Sequence, residues 1–334
     1  MSALKSTGTN VTRGSTSYPS ITVCIPSYKR PDYLGNAIDS VLMAPFLPNA
    51  LMVVCRQDDD PSFKVIKDKS TRFSFPITVP KVTQEGFLPP IQAAIDTAST
   101  DILVFMDDDA VATPQWLLNI ARHYVEPTVG GVGGRIINVF DGVVQQYEPA
   151  SVIGRVRFDG RCSGNFYREP TRKGVHDVDF LAGGNMSFRT ALLRKTGIDM
   201  RMANDVAFHW ELDLGLSVRE LGYRILFDPD APVFHHTAPR NLAGMRYANA
   251  IGIFCYNFNY AYTMAKHLTK TGLIVFLIME SLVGSTASPG FLSAIVGIAS
   301  PTRRKWIRFV SSALRGRFTG LRAGLAARRL RARS

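Results

Sequence analysis

The sequence predicts an α/β fold in which a mostly parallel β-sheet is covered by helices on both faces. Strand-like and helix-like segments alternate through the first two thirds of the chain, and the strand-like runs are almost continuously apolar, as in parallel strands buried on both sides. Two of these runs end in acidic clusters, at 58–60 and 107–109. Because open parallel sheets bind ligands at the carboxyl ends of their strands, the clusters predict a ligand site at one edge of the sheet.

The elements follow from local patterns, in order from residue 21. The helical face formed by Leu34, Ile38 and Leu42 predicts the first helix, and a proline close to the first turn marks the start of the third. The predicted order is a strand at 21–28 (ITVCIPSY), a helix at 32–42, a strand at 51–60 (LMVVCRQDDD), a helix at 91–98, a strand at 101–109 (DILVFMDDD) and a helix at 114–125.

Beyond residue 130 the pattern is less regular. Residues 130–180 are rich in glycine and offer only short strand candidates, and a helix is predicted at 205–221. Two strongly apolar runs follow, at 273–279 and 291–299. Each is shorter than the roughly 20 apolar residues that a membrane-spanning helix needs, so neither run is predicted to cross a bilayer alone.

The end of the chain is basic. Residues 301–334 carry eleven Lys and Arg residues and no acid, so the rest of the chain is nearly neutral although the net charge is +12. A neutral body with a basic end indicates a local anionic surface, and nucleic acid is not expected as a partner. Between the arginines, apolar side chains recur every three or four residues, at Trp306, Val310, Leu314, Phe318, Leu321 and Leu325. This pattern predicts a basic amphipathic helix lying on an anionic membrane, with a surface helix packed on its own domain as the alternative.

The cysteines and the amino terminus indicate a cytoplasmic protein. The four cysteines lie far apart, without metal-ligand spacing, and Cys24 and Cys55 fall within apolar runs, where a free thiol behaves as a small hydrophobe. Free thiols are typical of a reducing compartment. Residues 1–19 are polar and have no apolar segment of the signal-peptide type, which predicts a flexible leader.

The triple aspartate at 107–109 predicts a divalent cation site. Asp107 and Asp109 are two residues apart, so on an extended chain both point to the same side and Asp108 points away. Two such carboxylates suit Mg²⁺ or Mn²⁺, which leave other coordination positions to water and phosphate. An EF-hand is excluded because Ala112 stands where that loop needs glycine. A phosphatase with a nucleophilic aspartate and a solvated acidic loop remain as alternatives.

The order of the motifs resembles glycosyltransferase family 2, the nucleotide-sugar-dependent enzymes of the GT-A fold. The likeness covers about residues 20–240 and is carried by five stretches in order: IPSYKRPDYL, VVCRQDDDPS, FMDDDA, FLAGGNMSFR at 180–189, and WELDLGLSVRELGYRILFDPDAPVFHH at 210–236. The resemblance implies a Rossmann-like sheet of GT-A type with a nucleotide-binding half at 20–110 and an acceptor half at 111–240. Residues 241–334 would then form a helical extension associated with a membrane.

The resemblance also implies roles for individual residues. Asp58 would meet the nucleobase, Asp107 the ribose, and Asp109 with His235 the Mg²⁺ or Mn²⁺ ion. Glu211 would be the catalytic base. The remaining donor-binding residues would be Pro26, Tyr28, Arg30 and Asp108, and the acceptor side would include Gly184, Asn185, Trp210 and Asp213.

This sequence departs from the family pattern at two places. Trp210 replaces the first member of the usual acidic pair, which leaves Glu211 as the candidate base and gives Asp213 a role in positioning the helix. The usual Arg-Asn pair before the third strand is absent and Gln92 stands in that segment, so Arg30 or Arg56 would have to supply the donor contact.

These observations predict an inverting, metal-dependent hexosyl- or deoxyhexosyltransferase. It would move a sugar from a nucleotide-diphosphate donor to a saccharide or lipid-linked acceptor, in cell-surface polysaccharide or glycoconjugate synthesis. The enzyme would be cytoplasmic and peripheral on the inner face of the cell membrane, held through residues 271–334. One alternative is a nucleotidyl- or phosphoryl-transfer enzyme, although no Gly-rich phosphate loop follows the first strand. The other is a non-enzymatic membrane- or nucleic-acid-binding module.

Overall fold

The computed structural model describes residues 17–73, 75–202, 207–237, 249–285, 288–292, 295 and 303–331. Its strands are β1 (Ile21–Ser27), β2 (Ala50–Arg56), β3 (Ile77–Thr78), β4 (Lys81–Val82), β5 (Ile102–Met106), β6 (Ala110–Ala112), β7 (Val129–Phe140), β8 (Val143–Val144), β9 (Arg155–Val156), β10 (Cys162–Ser163), β11 (His176–Val178), β12 (Asn185–Arg189) and β13 (Arg224–His235). Its helices are α1 (Pro31–Leu42), α2 (Asp60–Arg72), α3 (Leu88–Thr97), α4 (Trp116–Ala121), α5 (Thr190–Thr196), α6 (Trp210–Glu220), α7 (Ala250–His267), α8 (Lys270–Leu282) and α9 (Arg303–Arg331). Short 3₁₀ turns lie at Arg122–Val125 and Met200–Met202.

The main sheet has the strand order β11-β13-β7-β12-β5-β1-β2-β3. The part built from the amino-terminal strands, β5-β1-β2-β3, is parallel throughout, which confirms the predicted α/β class. The second part is mixed, because β12 enters antiparallel between β5 and β7, while β7 and β13 run parallel to each other. The short strand β6 pairs antiparallel with the end of β13. This last pairing brings the end of β13 beside the end of β5.

Alternate side chains of the central strands enter two separate hydrophobic cores, one on each face of the sheet. One core contains Cys24, Met52, Val54, Leu103 and Phe105. The other contains Val23, Ile25, Val53, Cys55 and Val104. Because successive side chains of a strand point to opposite faces, continuous apolar runs are what a sheet covered on both sides requires. All four cysteines are free, and burial raises the pKa of the Cys55 thiol to about 12, so it serves as a small hydrophobe.

The structure departs from the sequence prediction in the second acidic cluster. Strand β2 ends at Arg56, and Asp59 caps α2 by accepting a hydrogen bond from the Ser62 backbone nitrogen at 3.3 Å. Helix α2 was not predicted, because its polar sequence buries only Ser62 and Ile66. Of the three acids at 58–60, Asp59 and Asp60 therefore belong to a helix start, where negative charge is favoured.

Glycine-rich residues 129–140 form the long strand β7, although only part of it was predicted as a strand. Phe188 lies against Gly131, Leu181 against Gly133, and the Ala231 carbonyl oxygen occupies the space that a Cβ at Gly134 would need. These glycines therefore allow neighbouring strands and side chains to approach the β7 backbone closely.

The carboxyl-terminal helices pack on the α/β body. Gly316, Gly320 and Gly324 of α9 face the carbonyl oxygens of Phe254, Phe258 and Tyr262 of α7, and Ala313 and Ala327 are buried on the same side. The predicted helix at 301–334 is thus confirmed in 303–331, and it packs on its own domain through small residues. No helix among the described residues is long and apolar enough to cross a bilayer. Parts of the apolar run 291–299, residues 1–16 of the predicted leader and residues 238–248 lie outside the described residues.

Candidate active site

The candidate site lies at the carboxyl ends of β1, β2 and β5. The parallel register aligns Ser27 with Cys55 and Cys24 with Phe105, so the segments that follow these strands meet at one edge of the sheet. The three aspartates 107–109 follow β5, and Gln57 and Asp58 follow β2, which ends at Arg56. This is the edge at which the sequence predicted a ligand site.

A cluster of two carboxylates and one imidazole occupies this edge. One ligand atom each of Asp107, Asp109 and His235 lies within 4.8 Å of the others, and His235 Nε2 is 3.2 Å from Asp109 Oδ1. His235 is far away in the chain, but it is paired with Ala110 in the β6–β13 ladder. Two hard oxygen donors and a nitrogen donor fit Mg²⁺ or Mn²⁺, which leave the remaining positions to water and phosphate.

The second ring nitrogen of His235 sets the orientation of the imidazole. Nδ1 lies 3.3 Å from Asn138 Oδ1 and 3.4 Å from Thr237 Oγ1. When Nδ1–H donates to the Asn138 amide oxygen, Nε2 carries the lone pair and faces Asp109. Such an outer hydrogen bond is how histidine ligands are held in one tautomer. Asn138 was not identified from the sequence, since nothing in its local pattern distinguishes it.

Asp108 points away from the cluster and is held by other groups. Ser27 Oγ donates to Asp108 Oδ2 at 2.8 Å, and Arg30 Nη1 lies 3.0 Å from Asp108 Oδ1 and 3.4 Å from Asp109 Oδ2. Burial raises the pKa of Asp108 to about 6, with Arg30 acting in the opposite direction. The alternation that the sequence predicted for the three aspartates is therefore present, and Arg30 stands beside them as a partly exposed cation.

Glu211 lies across a pair of glycines from Asp107. A Cβ at Gly183 would be 2.8 Å from Glu211 Oε1, and one at Gly184 would be 2.7 Å from Asp107 Oδ2. The two glycines thus leave space for both carboxylates to face the same region. Burial, with a smaller contribution from the like charge of Asp107, raises the pKa of Glu211 to about 7. A carboxylate poised near neutral pH is suited to general base chemistry. Gly183 was not singled out from the sequence.

Asp213 points in a different direction, towards α7. Lys266 Nζ donates to Asp213 Oδ2 at 2.6 Å and His267 Nε2 lies 2.9 Å from Asp213 Oδ1. Although burial alone would raise the pKa of Asp213, the hydrogen bond from His267 and the charge of Lys266 hold it below its usual value. Lys266 also reaches Asp199 Oδ2 at 3.0 Å. The family resemblance implied a positioning role for Asp213 but did not identify its partners.

The predicted nucleobase end is a separate, open cavity of about 480 Å³ lined by Arg56, Gln57, Asp58, Val82 and Thr83. The Tyr28 hydroxyl donates to Asp58 Oδ2 at 3.0 Å, and Arg56 Nε donates to Asp58 Oδ1 at 3.0 Å. The Arg56 guanidinium also lies 4.4 Å from the centre of the Tyr28 ring. Arg56 is thus placed to supply a donor contact, whereas the Gln92 amide is bonded to Asp96 on its own helix.

Three other predicted residues have surroundings that limit what they can contact. Asn185 is fully buried and bonds to Trp116 Nε1 and to the carbonyl oxygens of Arg135 and Ala231. Its amide therefore holds strands together, and its acceptor-side role stays a prediction. Pro26 lies within β1. Trp210 is buried, with its ring 5.9 Å from that of the exposed Phe87.

The chain is similar to known proteins both in sequence and in fold. Residues 22–197 match the family model described as glycosyl transferase family 2. A curated relative, the glucosyl-dolichyl phosphate glucuronosyltransferase of Haloferax volcanii, is 22% identical over 222 residues, which cover 65% of this chain and 68% of the relative.

Two solved structures share the fold. The mannosyltransferase PcManGT from Pyrobaculum calidifontis, in complex with GDP-Man and Mn²⁺, has a TM-score of 0.52 and 17% identity, covering 95% of this chain and 87% of its own. TarS 1–349 from S. aureus, in complex with UDP-GlcNAc, has a TM-score of 0.59 and 14% identity, covering 94% of this chain and 92% of its own. At these identities the likeness shows a shared GT-A fold.

Proposed function

Because the chain belongs to glycosyl transferase family 2, we propose that it transfers a sugar, with inversion at the anomeric carbon, from a nucleotide-diphosphate sugar to a hydroxyl group of a saccharide or lipid-linked acceptor. The observation that carries this proposal is that the cluster of Asp107, Asp109 and His235 and the carboxylate of Glu211 face one region, with Asp107 beside Gly184 and Glu211 beside Gly183. A leaving diphosphate needs a cation beside it, and an incoming hydroxyl needs a base.

Asp109 and His235, with Asp107 beside them, would hold a Mg²⁺ or Mn²⁺ ion. Bound there, the ion would act as a Lewis acid that stabilises the negative charge of the diphosphate. The solved relative that holds GDP-Man and Mn²⁺ supports a divalent ion in this fold. Arg30, within 3.4 Å of Asp109, offers a further cation on the donor side, and the cavity beside Asp58 is wide enough for a nucleobase.

Glu211 would act on the acceptor. In its ionised form the carboxylate removes the proton from the acceptor hydroxyl, the hydroxyl oxygen forms a bond to the anomeric carbon, and the bond from that carbon to the diphosphate oxygen breaks. The nucleoside diphosphate leaves on the opposite side, which gives inversion. The raised pKa of Glu211 makes it a stronger base than an exposed carboxylate, while it remains partly ionised at neutral pH.

The acceptor and the cellular location are part of the proposal. The name of the Haloferax volcanii relative describes transfer to a dolichyl phosphate-linked sugar, which supports a lipid-linked acceptor here and a role in cell-surface polysaccharide or glycoconjugate synthesis. Such an acceptor is available at a membrane. We place the enzyme in the cytoplasm, peripheral on the inner face of the cell membrane.

A transfer assay tests the proposal. The full chain is incubated with UDP- and GDP-sugars, a lipid-linked saccharide, and either Mn²⁺, Mg²⁺ or EDTA, and nucleoside diphosphate release and product mass are measured. We expect metal-dependent release with one donor and a product of inverted anomeric configuration by NMR. Wild-type rates in EDTA would contradict the metal site, and retained configuration would contradict the role of Glu211.

A further inference from the structure

Helix α9 has an exposed side that differs from the side that packs on α7. The buried side carries Ala313, Gly316, Arg317, Gly320, Gly324 and Ala327. On the opposite side, Ile307, Leu314 and Phe318 are exposed, Ile307 by 55% and Phe318 by 60%. Their spacing of seven and four residues places them in one line along the helix.

A row of arginines runs beside these apolar residues. Arg308, Arg315, Arg322 and Arg329 follow one another at intervals of seven residues, which keeps them on one side of a helix. All four are exposed. Within the part of the chain that the structure describes, none of them forms an ion pair with a carboxylate, and the chain contains no acidic residue after Glu280. We name these seven residues (Ile307, Leu314, Phe318, Arg308, Arg315, Arg322 and Arg329) the outer face of α9.

Helix α8 contributes a second line of exposed apolar residues at Ile274, Ile278 and Leu282. Arg317 of α9 approaches Glu280 of α8 at 3.6 Å, so the end of α8 adjoins α9. Exposed large apolar side chains are thus concentrated in the carboxyl-terminal helices. Contiguous exposed apolar residues are typical of surfaces that bind a partner.

We propose that the outer face of α9 docks on a bilayer that contains anionic lipids, with α9 lying in the plane of the headgroups. The apolar line enters the boundary of the acyl chains, while the arginines beside it contact lipid phosphates. This surface differs from the one expected from the sequence, because Val310 is buried and Leu321 and Leu325 lie at the margin of the buried side. The inference rests on the proposed function only in identifying the membrane as the place of a lipid-linked acceptor.

The pattern of charged and apolar residues argues against two other partners for the outer face, a second copy of the chain and nucleic acid. In a symmetric dimer the same patch contacts itself, so a second copy would bring rows of like-charged arginines close together. Nucleic acid would satisfy the arginines but would leave Ile307, Leu314 and Phe318 without a matching apolar surface. A bilayer offers phosphate and hydrocarbon at adjacent depths, which matches the two adjacent lines of the outer face.

Packed helices connect the outer face of α9 to the active site. The glycines of α9 contact the α7 backbone, and Lys266 and His267 of α7 bind Asp213 of α6. Helix α6 carries Glu211 in its first turn. A bilayer bound to α9 would therefore hold the acceptor side of the active site in a fixed orientation to the membrane.

Cosedimentation of the full chain with vesicles tests the inference without any substrate. We expect binding to vesicles of phosphatidylcholine with 30% phosphatidylglycerol, and release when NaCl is raised to 0.5 M, because salt screens exposed charges. The double variant R315Q/R322Q should bind roughly tenfold to thirtyfold more weakly, as two surface cations are lost. Phe318→Ser should also weaken binding. The matched control R172Q/K173Q removes the same charge from an exposed segment of the α/β body and should bind as the wild type does.

Melting temperature and donor hydrolysis in solution are measured for the same variants and should match the wild type. Equal binding by R315Q/R322Q, or equal binding to pure phosphatidylcholine, would overturn the inference. So would a dimer in light scattering that Phe318→Ser converts to a monomer, since the face would then be covered by a second copy. A protein that binds vesicles as expected but releases no nucleotide would count against the proposed activity and would support the docking.

Discussion

The ammonium group of Lys266 on α7 lies 2.6 Å from the carboxylate of Asp213 on α6, and both side chains are almost fully buried. A charge removed from water is costly unless it is paired, and here Lys266 also reaches Asp199, while His267 contacts the second oxygen of Asp213. The helix that carries Glu211 is therefore attached to the carboxyl-terminal helices by buried ionic hydrogen bonds.

Lys266→Met should lower the free energy of unfolding by about 3–5 kcal/mol, because it removes the buried cation that Asp213 shares with Asp199 and leaves the buried carboxylate of Asp213 with His267 alone. Urea unfolding followed by tryptophan fluorescence measures the loss. Lys270→Met, at the exposed first residue of α8, serves as the control and should change stability by less than about 0.5 kcal/mol. Similar losses for the two variants would show that the buried pair has no special contribution, and Lys266→Arg should restore part of the stability.

The raised pKa of Glu211 predicts the pH dependence of transfer. A base must be ionised, so kcat/KM should be low at acidic pH and rise with pH through about 7. Glu211→Gln should lower kcat by about 10²- to 10⁴-fold and abolish the rise of kcat/KM with pH. Donor affinity, measured by thermal-shift titration, should be retained. If kcat/KM of Glu211→Gln still rises with pH through about 7, another group is responsible for the titration.

The stability contributed by His267 should decrease as pH rises. Burial alone would lower its pKa, but hydrogen bonds to Asp213 and Glu220 raise it above the ordinary value. A group whose folded pKa is raised stabilises the protein fully below its unfolded pKa, which is about 6.5 for histidine, and loses that contribution as pH passes the folded value. His267→Gln should therefore be less stable than the wild type at pH 6, with the difference diminishing above pH 6.5. A constant difference from pH 6 to 9 would contradict the ionic role.

Asp109→Asn should weaken the metal site. The wild type should gain melting temperature with Mn²⁺, since a ligand that binds the folded state stabilises it. Asp109→Asn should lose most of this gain and about a hundredfold or more in transfer rate, because Lewis-acid stabilisation is worth several kcal/mol. Asp68→Asn, at an exposed position on α2, is the matched control. An unchanged Mn²⁺ response in Asp109→Asn would place the ion elsewhere.

Gly320→Ala distinguishes a packed α9 from an isolated one. The new methyl group would meet the Phe258 carbonyl oxygen, so the variant should lose roughly 1–3 kcal/mol of stability through overpacking. An unpacked helix would instead gain up to about 1 kcal/mol from the better helix propensity of alanine. The sign of the change in the free energy of unfolding, measured with urea, therefore distinguishes a packed α9 from an unpacked one. Ser311→Ala, at an exposed position of the same helix, provides the reference.

The features that could be predicted from the sequence are those that follow from a local residue pattern or from the order of the family's motifs along the chain. The apolar runs of β1, β2 and β5 predicted the parallel part of the sheet, and the grouping of Asp107, Asp109 and His235 agrees with the expected cation site. The partners of Asp213 could not be predicted, because Lys266 is 53 residues away and a lone lysine in a helix carries no sign of burial. The burial of Val310, which hydropathy had grouped with the exposed Leu314 and Phe318, could not be predicted, because the side of α9 that packs is determined by close backbone contact at Gly316, Gly320 and Gly324.

The attachment of α6 to α7 affects how the protein can be shortened for biochemical work. A recombinant fragment that stops at residue 240, the predicted end of the catalytic region, would retain Asp213 and lose Lys266 and His267. The fragment would also uncover apolar surface such as Leu212, which packs beside Tyr260 and Met264. We expect poor yield and aggregation from such a fragment, so screening for a soluble form should keep α7 to α9 and replace exposed residues such as Phe318 with polar ones.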